Sequence, residues 1–329
     1  MSQPPRSFLA RHKRKFIVGG ALSLIAGGGL AYYGWRNLND RLQAAASEDA
    51  KRSAEAMLGR ELCHGFNSLY AVLNSQCSPK VQMEVDIMPV IQRIRELEDA
   101  VQRREHFRAL RALTLVEGTS SIFLSSINLM FVATVVAAYS RLTNERESPS
   151  PNEAPEVLAL LQAYFTDGQV KIVDVIRYTV AKYLESPTAI TLDAECTVSD
   201  VRQTMQRILL MLLDNQAAII AAVLPKENPA AIAEVESEFM QILRDLLELS
   251  DWSAGLKFHS TEYLSEWMQF VAFPSEPNKF SRLLKPMSAA STRRFNTAAP
   301  ILSMHAFGEE PFQPTNYLVL YMLNIARVS

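Results

Sequence analysis

The N-terminus of the chain joins a basic cluster to a long apolar stretch, and this arrangement constrains the fold more than any other feature. The cluster is Arg11, His12, Lys13, Arg14 and Lys15. Residues 16–35 then carry no charged side chain, and their number matches the roughly 20 residues with which an α-helix crosses a hydrocarbon core. A single span inside a bilayer must satisfy its own backbone hydrogen bonds, so it is helical. We therefore predict a transmembrane helix at 16–35.

Two other interpretations of the N-terminus stay open. A cleaved signal peptide usually has an apolar core of about 7–15 residues with a small-residue cleavage site soon after it. Here Arg36, Asp40 and Arg41 come before the alanines at 44–46. A mitochondrial presequence would be amphipathic, whereas residues 16–35 are uniformly apolar. A retained signal-anchor fits the pattern best.

The composition of the chain narrows the classes of protein to which it can belong. The 329 residues carry a net charge of −2, so no global basic excess indicates a nucleic-acid partner. The three cysteines form no disulfide framework, which favours a reducing compartment such as the cytosol. We divide the chain into a basic segment at 1–15, the transmembrane helix at 16–35, a helical linker at 36–60 and an all-helical domain at 61–329.

The pattern of apolar residues predicts an all-α fold. Helical spacing recurs through 81–116, 156–184 and 198–223, and no run alternates with the period of two that marks a strand. Residues 118–140 contain no charge, so by length they qualify as a second span. Their serines, threonines and asparagine instead favour a helix buried in the protein core. Residues 274–300 are rich in proline and serine and are predicted to be mostly loop with a short helical piece.

No motif in the chain indicates catalysis. The sequence lacks GxGxxG after a strand, a P-loop, HExxH, GxSxG and CxxC, and its five histidines are scattered without metal-ligand spacing. We therefore predict that the protein is not an enzyme, and that it has no catalytic residue, no cofactor and no metal.

A recognition site is the more promising prediction, and it falls within residues 102–115. Phe107 and Leu110 lie on one helical face, among arginines. Apolar anchors ringed by arginine are what a groove needs in order to bind an amphipathic helix. The alternative is that Phe107 and Leu110 are core residues and the arginines a solvated surface. Composition alone favours this alternative.

Three stretches together resemble the peroxin-3 family of peroxisome biogenesis proteins. The start FLARHKRKFIVGGALSLIAGGGLAYYGW has the family's basic cluster, glycine-containing span and Tyr-Gly pair. The segment FRALRALTLVEGTSSIFLSSINLMFV resembles a helix that places an aromatic residue three positions before a leucine. The segment FSRLLKPMSAAS, at 280–291, resembles the family's Leu-x-Pro loop.

The resemblance implies a docking function. Peroxin-3 proteins are single-pass anchors whose elongated helical bundle binds an amphipathic helix of peroxin-19, the receptor for newly made peroxisomal membrane proteins. Phe107 stands where the family has a tryptophan, so the aromatic anchor is kept but the indole N–H is lost. The residues that the resemblance places at or near the groove are Phe107, Leu110, Leu97, Arg103, Arg104, Leu284 and Pro286.

The resemblance also implies a location. The family lies in the peroxisomal membrane with its large C-terminal domain in the cytosol, and its basic cluster is a targeting signal. The positive-inside rule would instead place the basic N-terminus in the cytosol. We follow the family, and we expect a receptor partner and no nucleic acid, with contact to membrane lipid left open. The alternatives are a signal-anchored helical scaffold or adaptor of another organelle membrane and a membrane-tethered enzyme.

Overall fold

A computed structural model of the chain describes residues 83–144, 153–224, 237–274 and 276–296. Nearly all regular structure within these ranges is α-helical, which confirms the all-α prediction for this part of the protein. The basic cluster at 11–15, the predicted transmembrane helix at 16–35 and the linker at 36–60 lie outside the described residues.

Most of the described elements are α-helices. The helices are α1 (Met88–Glu96), α2 (Ala100–Asn144), α3 (Glu153–Ala163), α4 (Gln169–Glu185), α5 (Val198–Leu213), α6 (Gln216–Val223), α7 (Glu238–Glu248), α8 (Ser250–Phe270) and α9 (Phe280–Asn296). A π-helical turn, Tyr164–Gly168, joins α3 to α4. Strands β1 (Glu195–Cys196) and β2 (Asn278–Lys279) pair antiparallel, with Glu195 opposite Lys279.

Local sequence signals explain several helix starts. Thr197 caps α5, because its hydroxyl accepts a hydrogen bond from the Asp200 N–H while the Asp200 carboxylate accepts one from the Thr197 N–H at 2.8 Å. The Thr197 hydroxyl, which donates to the Asp200 carboxylate at 2.7 Å, and the Thr197 N–H together hold the pKa of Asp200 below its ordinary value. Ser237 caps α7 by accepting from the Met240 N–H at 3.2 Å. Pro89 lies in the first turn of α1, where its missing N–H costs little.

Helix α2 is the centre of the packing. Helices α9, α8, α4 and α7 contact it most extensively, and α1 and α5 contact it as well. Every residue from 114 to 135 is buried, so this part of the helix has no solvent face. A helix that is apolar all round is expected to be buried in this way.

One described helical segment, Ala100–Val135, is long and apolar enough to cross a membrane, and its most apolar window is wholly buried against the rest of the protein. A core helix meets the same criteria. Within the predicted segment 118–140, Phe123, Ile127 and Phe131 have no exposed surface. This burial favours the core-helix interpretation over a second span.

Several predicted boundaries are wrong. Residues 97–99 interrupt the helix predicted at 81–116, and the segment 198–223 forms two helices bent by 71°. The largest error is the loop predicted over 274–300, because residues 280–296 form α9. Its apolar residues recur at helical spacing and are buried, and this burial outweighs the loop-like content of serine and proline.

Candidate functional site

The sequence-predicted site residues in the described ranges lie on helices α2 and α9 and, for Leu97, in the connection just before α2. The loop between α4 and α5 forms hydrogen bonds with both α2 and α9. The loop, residues 186–197, reaches the N-terminal half of α2 through two contacts. Arg111 donates a hydrogen bond from Nη1 to the Ile190 carbonyl at 2.8 Å, and Arg104 Nη2 lies 3.3 Å from Asp193 Oδ2. Both side chains of the ion pair are about two-thirds exposed, at 67 % and 68 %, so solvent screens it.

The same loop also holds the start of α9. The Phe280 N–H donates to the Ala194 carbonyl at 3.0 Å, and the Ser281 N–H donates to the Leu192 carbonyl at 3.0 Å. These bonds bring the beginning of α9 to the end of the molecule where α2 begins. We call the surface formed by residues 97–111, 186–197 and 280–286 the docking face.

Phe107 lies within this face and is half-buried. Part of its ring packs against the hydrophobic core, and part is accessible. Leu97, in the connection between α1 and α2, is half-buried as well. Arg103 is exposed and folds back along the helix start, where its Nε donates to the Leu97 carbonyl at 3.2 Å. The side chain therefore fixes the connection that carries Leu97.

Two of the predicted groove residues face the interior. Leu110 is 7 % exposed and Leu284 is 2 % exposed, and both belong to the core. Pro286 is half-buried and stands inside α9, although the resemblance predicts a loop there. A docking site at this surface would therefore rest on Phe107, Leu97, Pro286 and the exposed arginines.

This arrangement agrees in part with each interpretation of residues 102–115. Leu110 behaves as the core residue that the composition favours, and Arg104 and Arg108 are solvated. Phe107 does not behave as a core residue, because part of its ring surface is exposed. The accessible part of Phe107 next to solvated arginines is what remains of the predicted binding surface.

Sequence reasoning missed a polar group beneath the docking face. Glu117 is buried in α2, and this burial raises the pKa of its carboxyl to about 7. A hydrogen bond with Ser288 of α9 opposes that rise, and the nearby Asp86 carboxylate adds to it. The signal available in the sequence was a single acidic residue at the edge of an otherwise uncharged run.

Arg111 and Thr114 complete a polar line along α2 with Glu117. The three positions are spaced by three residues, which places them on one side of the helix. Partial burial lowers the pKa of Arg111, and the neighbouring charge of Arg108 lowers it further. Within the described ranges, Thr114 Oγ1 and Glu117 Oε2 are buried without a hydrogen-bond partner.

The described part of the chain offers no group of three His, Cys, Asp or Glu side chains that could hold a metal ion. Neither a protein-family model nor a curated protein matches the chain.

Proposed function

We propose that the protein is a membrane-anchored docking factor of the peroxin-3 type. In this proposal residues 16–35 fix the chain in the peroxisomal membrane, and an elongated helical bundle in the cytosol captures the peroxin-19 receptor. The capture allows the receptor to deliver newly made membrane proteins. The resemblance in the N-terminal residues and around Phe107 supports the proposal.

The single structural observation that carries the proposal is the half-buried ring of Phe107 on the docking face. An amphipathic helix lying across this face would cover the accessible part of the ring with its apolar side. Leu97 would extend the apolar contact along the face, because Arg103 holds the connection that carries it. Aromatic anchors of this kind commonly dominate the binding energy of a helix in a groove.

The arginines around Phe107 supply the polar rim of the site. Arg104 and Arg108 are exposed, so carboxylates flanking the apolar side of a receptor helix could pair with them. Pairs at such a solvated rim act mainly on association rate and orientation, and they add little to affinity. Binding would thus be set by Phe107 and oriented by the arginines.

The proposal is tested by calorimetry with the full chain in neutral detergent. The ligand is a synthetic peptide of the receptor's N-terminal amphipathic helix. Phe107→Ala should weaken binding by about 2 kcal/mol, which is roughly 30-fold in the dissociation constant. Tyr178→Ala is the matched control, because Tyr178 is an exposed aromatic residue on α4 and is not one of the residues that form the docking face.

Two outcomes would contradict the proposal. Unchanged affinity in a folded Phe107→Ala variant would show that Phe107 is not part of the receptor-binding site. A fluorescent fusion of residues 1–45 that labels mitochondria or the endoplasmic reticulum would favour the scaffold of another organelle membrane. Peroxisomal labelling together with the loss of receptor binding is the result that we expect.

A further inference from the structure

Helix α9 carries a surface of a single charge sign. Its sequence, FSRLLKPMSAASTRRFN, contains four basic residues and no acidic residue. The solvent-exposed side chains of α9 and of Lys279, which directly precedes it, are Lys279, Arg282, Lys285, Ala289, Thr292 and Arg293. We call this surface the α9 basic face.

The helix geometry places these side chains on one side. At about 100° per residue, positions three and four apart share a face, so Arg282, Lys285 and Ala289 lie on one side of α9, and Lys279 in strand β2 directly precedes the helix. The opposite side is fixed in the core by buried residues, which are Phe280, Leu283, Leu284, Met287, Ala290 and Ser291. The cations therefore project from a backbone that packing holds in place.

Few carboxylates of the described residues compensate this face. Glu195 stands opposite Lys279 in the strand pair, and Glu266 lies 3.2 Å from Arg294, which points into the core. Arg293 lies over the ring of Phe270 at 4.7 Å. Arg282 contacts the amide oxygen of Asn278 at 3.5 Å. In the part of the chain that the structure describes, neither Arg282 nor Lys285 forms an ion pair.

Two basic side chains on other described helices do form ion pairs. Arg177 of α4 pairs with Asp174 at 2.9 Å and with Glu84 at 3.5 Å, and Arg104 of α2 pairs with Asp193. The chain as a whole carries a net charge of −2, so a purely cationic helix face is a local departure from its average. Such a face attracts a partner of opposite charge.

We propose that the α9 basic face binds an acidic helical segment of another protein, with carboxylates on consecutive turns of that segment. Arg282 pairs with one carboxylate in the bidentate geometry that guanidinium favours, and Lys285 pairs with the next. Thr292 extends the face with a hydroxyl donor, and the small side chain of Ala289 between them lets a partner helix approach closely. Arg282 and Lys285 lie at the α9 edge of the docking face, so this contact adjoins the proposed receptor site, but it uses neither Phe107 nor Leu97.

The composition of the face favours an acidic protein segment over two other anionic partners. Single-stranded nucleic acid is bound by faces that add aromatic stacking platforms to their cations, and the exposed residues of α9 include no aromatic side chain. Stable membrane-surface helices insert large apolar side chains, and the exposed residues of α9 include none of these either.

The test measures binding of a fluorescent synthetic helical peptide with glutamates on consecutive turns to the full chain in neutral detergent at low salt. The double variant Arg282→Glu/Lys285→Glu should weaken binding by about tenfold or more, because two attractive pairs become repulsive. The matched control is Arg202→Glu/Arg207→Glu, which makes the same charge change at exposed positions of α5. This control should retain most of the wild-type affinity.

Further measurements decide between the partners. Equal losses in both double variants, or no peptide binding by the wild-type chain, would overturn the proposal. Binding to phosphatidylserine vesicles or to polyuridine that is lost only in the α9 variant, without peptide binding, would also overturn it. Phe107→Ala should leave binding of the acidic peptide unchanged, so failure of this proposal and failure of receptor docking are distinguishable.

Discussion

The two halves of helix α2 have opposite environments. Residues 114–135 are buried on every side. Residues 100–109 are mostly solvated, with Val101 70 % exposed and Phe107 half-buried. A single continuous helix thus passes from a surface element to the centre of the core within a few turns.

Along this one helix, the residues that stabilise the fold are therefore separate from the residues that are available to a partner. The buried half supplies the contacts that α4, α7, α8 and α9 need in order to pack. The exposed half contributes less burial, and its aromatic and basic side chains remain accessible to a partner. Substitutions in the two halves should therefore affect different measurements.

The largest expected change in stability comes from replacing a phenylalanine by alanine, once in each half of α2. Phe123→Ala should lower the free energy of unfolding by about 3–5 kcal/mol, because Phe123 is fully buried and its loss leaves a cavity. Phe107→Ala should cost less than half as much, since its ring is only half-buried. Chemical denaturation of the full chain in neutral detergent measures both. Equal losses would show that the exposed half is as tightly integrated as the buried half.

The next prediction concerns Glu117, which is buried close to the point where the exposed half of α2 meets the buried half. Its pKa is raised from 4.5 to about 7 in the folded protein. The unfolded chain therefore releases this proton first, and stability falls as the pH rises from about 4.5 to about 7. At about pH 8, Glu117→Gln should be more stable than the wild type by up to about 3 kcal/mol.

This difference should shrink as the pH falls toward 4.5, because the wild-type carboxyl becomes neutral like the amide. His259 also titrates in acid, since burial lowers its pKa from 6.5 to about 4, and its protonation removes stability as the pH falls below 6.5. That contribution is shared by both proteins and cancels in their difference. A pH-independent difference would contradict the raised pKa of Glu117.

The smallest effect concerns a hydroxyl at the start of the buried half. Thr114 Oγ1 is buried and has no hydrogen-bond partner within the described ranges. Thr114→Val keeps the shape and removes this cost, so it should stabilise the protein by about 1 kcal/mol. Thr134→Val is the matched control, because the Thr134 hydroxyl donates to the Met130 carbonyl at 2.6 Å. That variant should be neutral or slightly less stable in the same denaturation experiment.

Local patterns in the sequence predicted part of this organisation. The uncharged run at 118–140 indicated a buried helix, and the spacing of Phe107 and Leu110 placed both on one face of α2, of which the structure buries Leu110 and half-buries Phe107. The burial of Leu284 was not predicted, because Pro286 and the serines made α9 look like a loop. Helix periodicity competed there with residue composition, and packing decided the outcome.

Other features depend on contacts between residues that are far apart in sequence. The hydrogen bond from Arg111 to the Ile190 carbonyl joins positions 79 apart. The antiparallel bridge between Cys196 and Asn278 joins two segments that carry no strand signal of their own. Periodicity within a short window does not report such pairings, so the relation of α2 to α9 could not be read from the sequence.

The loop at 186–197 has a consequence for how this end of the protein tolerates change. Three of its four bonds to α2 and α9 use the main-chain carbonyls of Ile190, Leu192 and Ala194. Every amino acid presents the same carbonyl, so these bonds constrain the spacing of the three residues, whereas the packing of their side chains against the core constrains their identity. A one-residue deletion in this loop would therefore misalign the anchors of both helices.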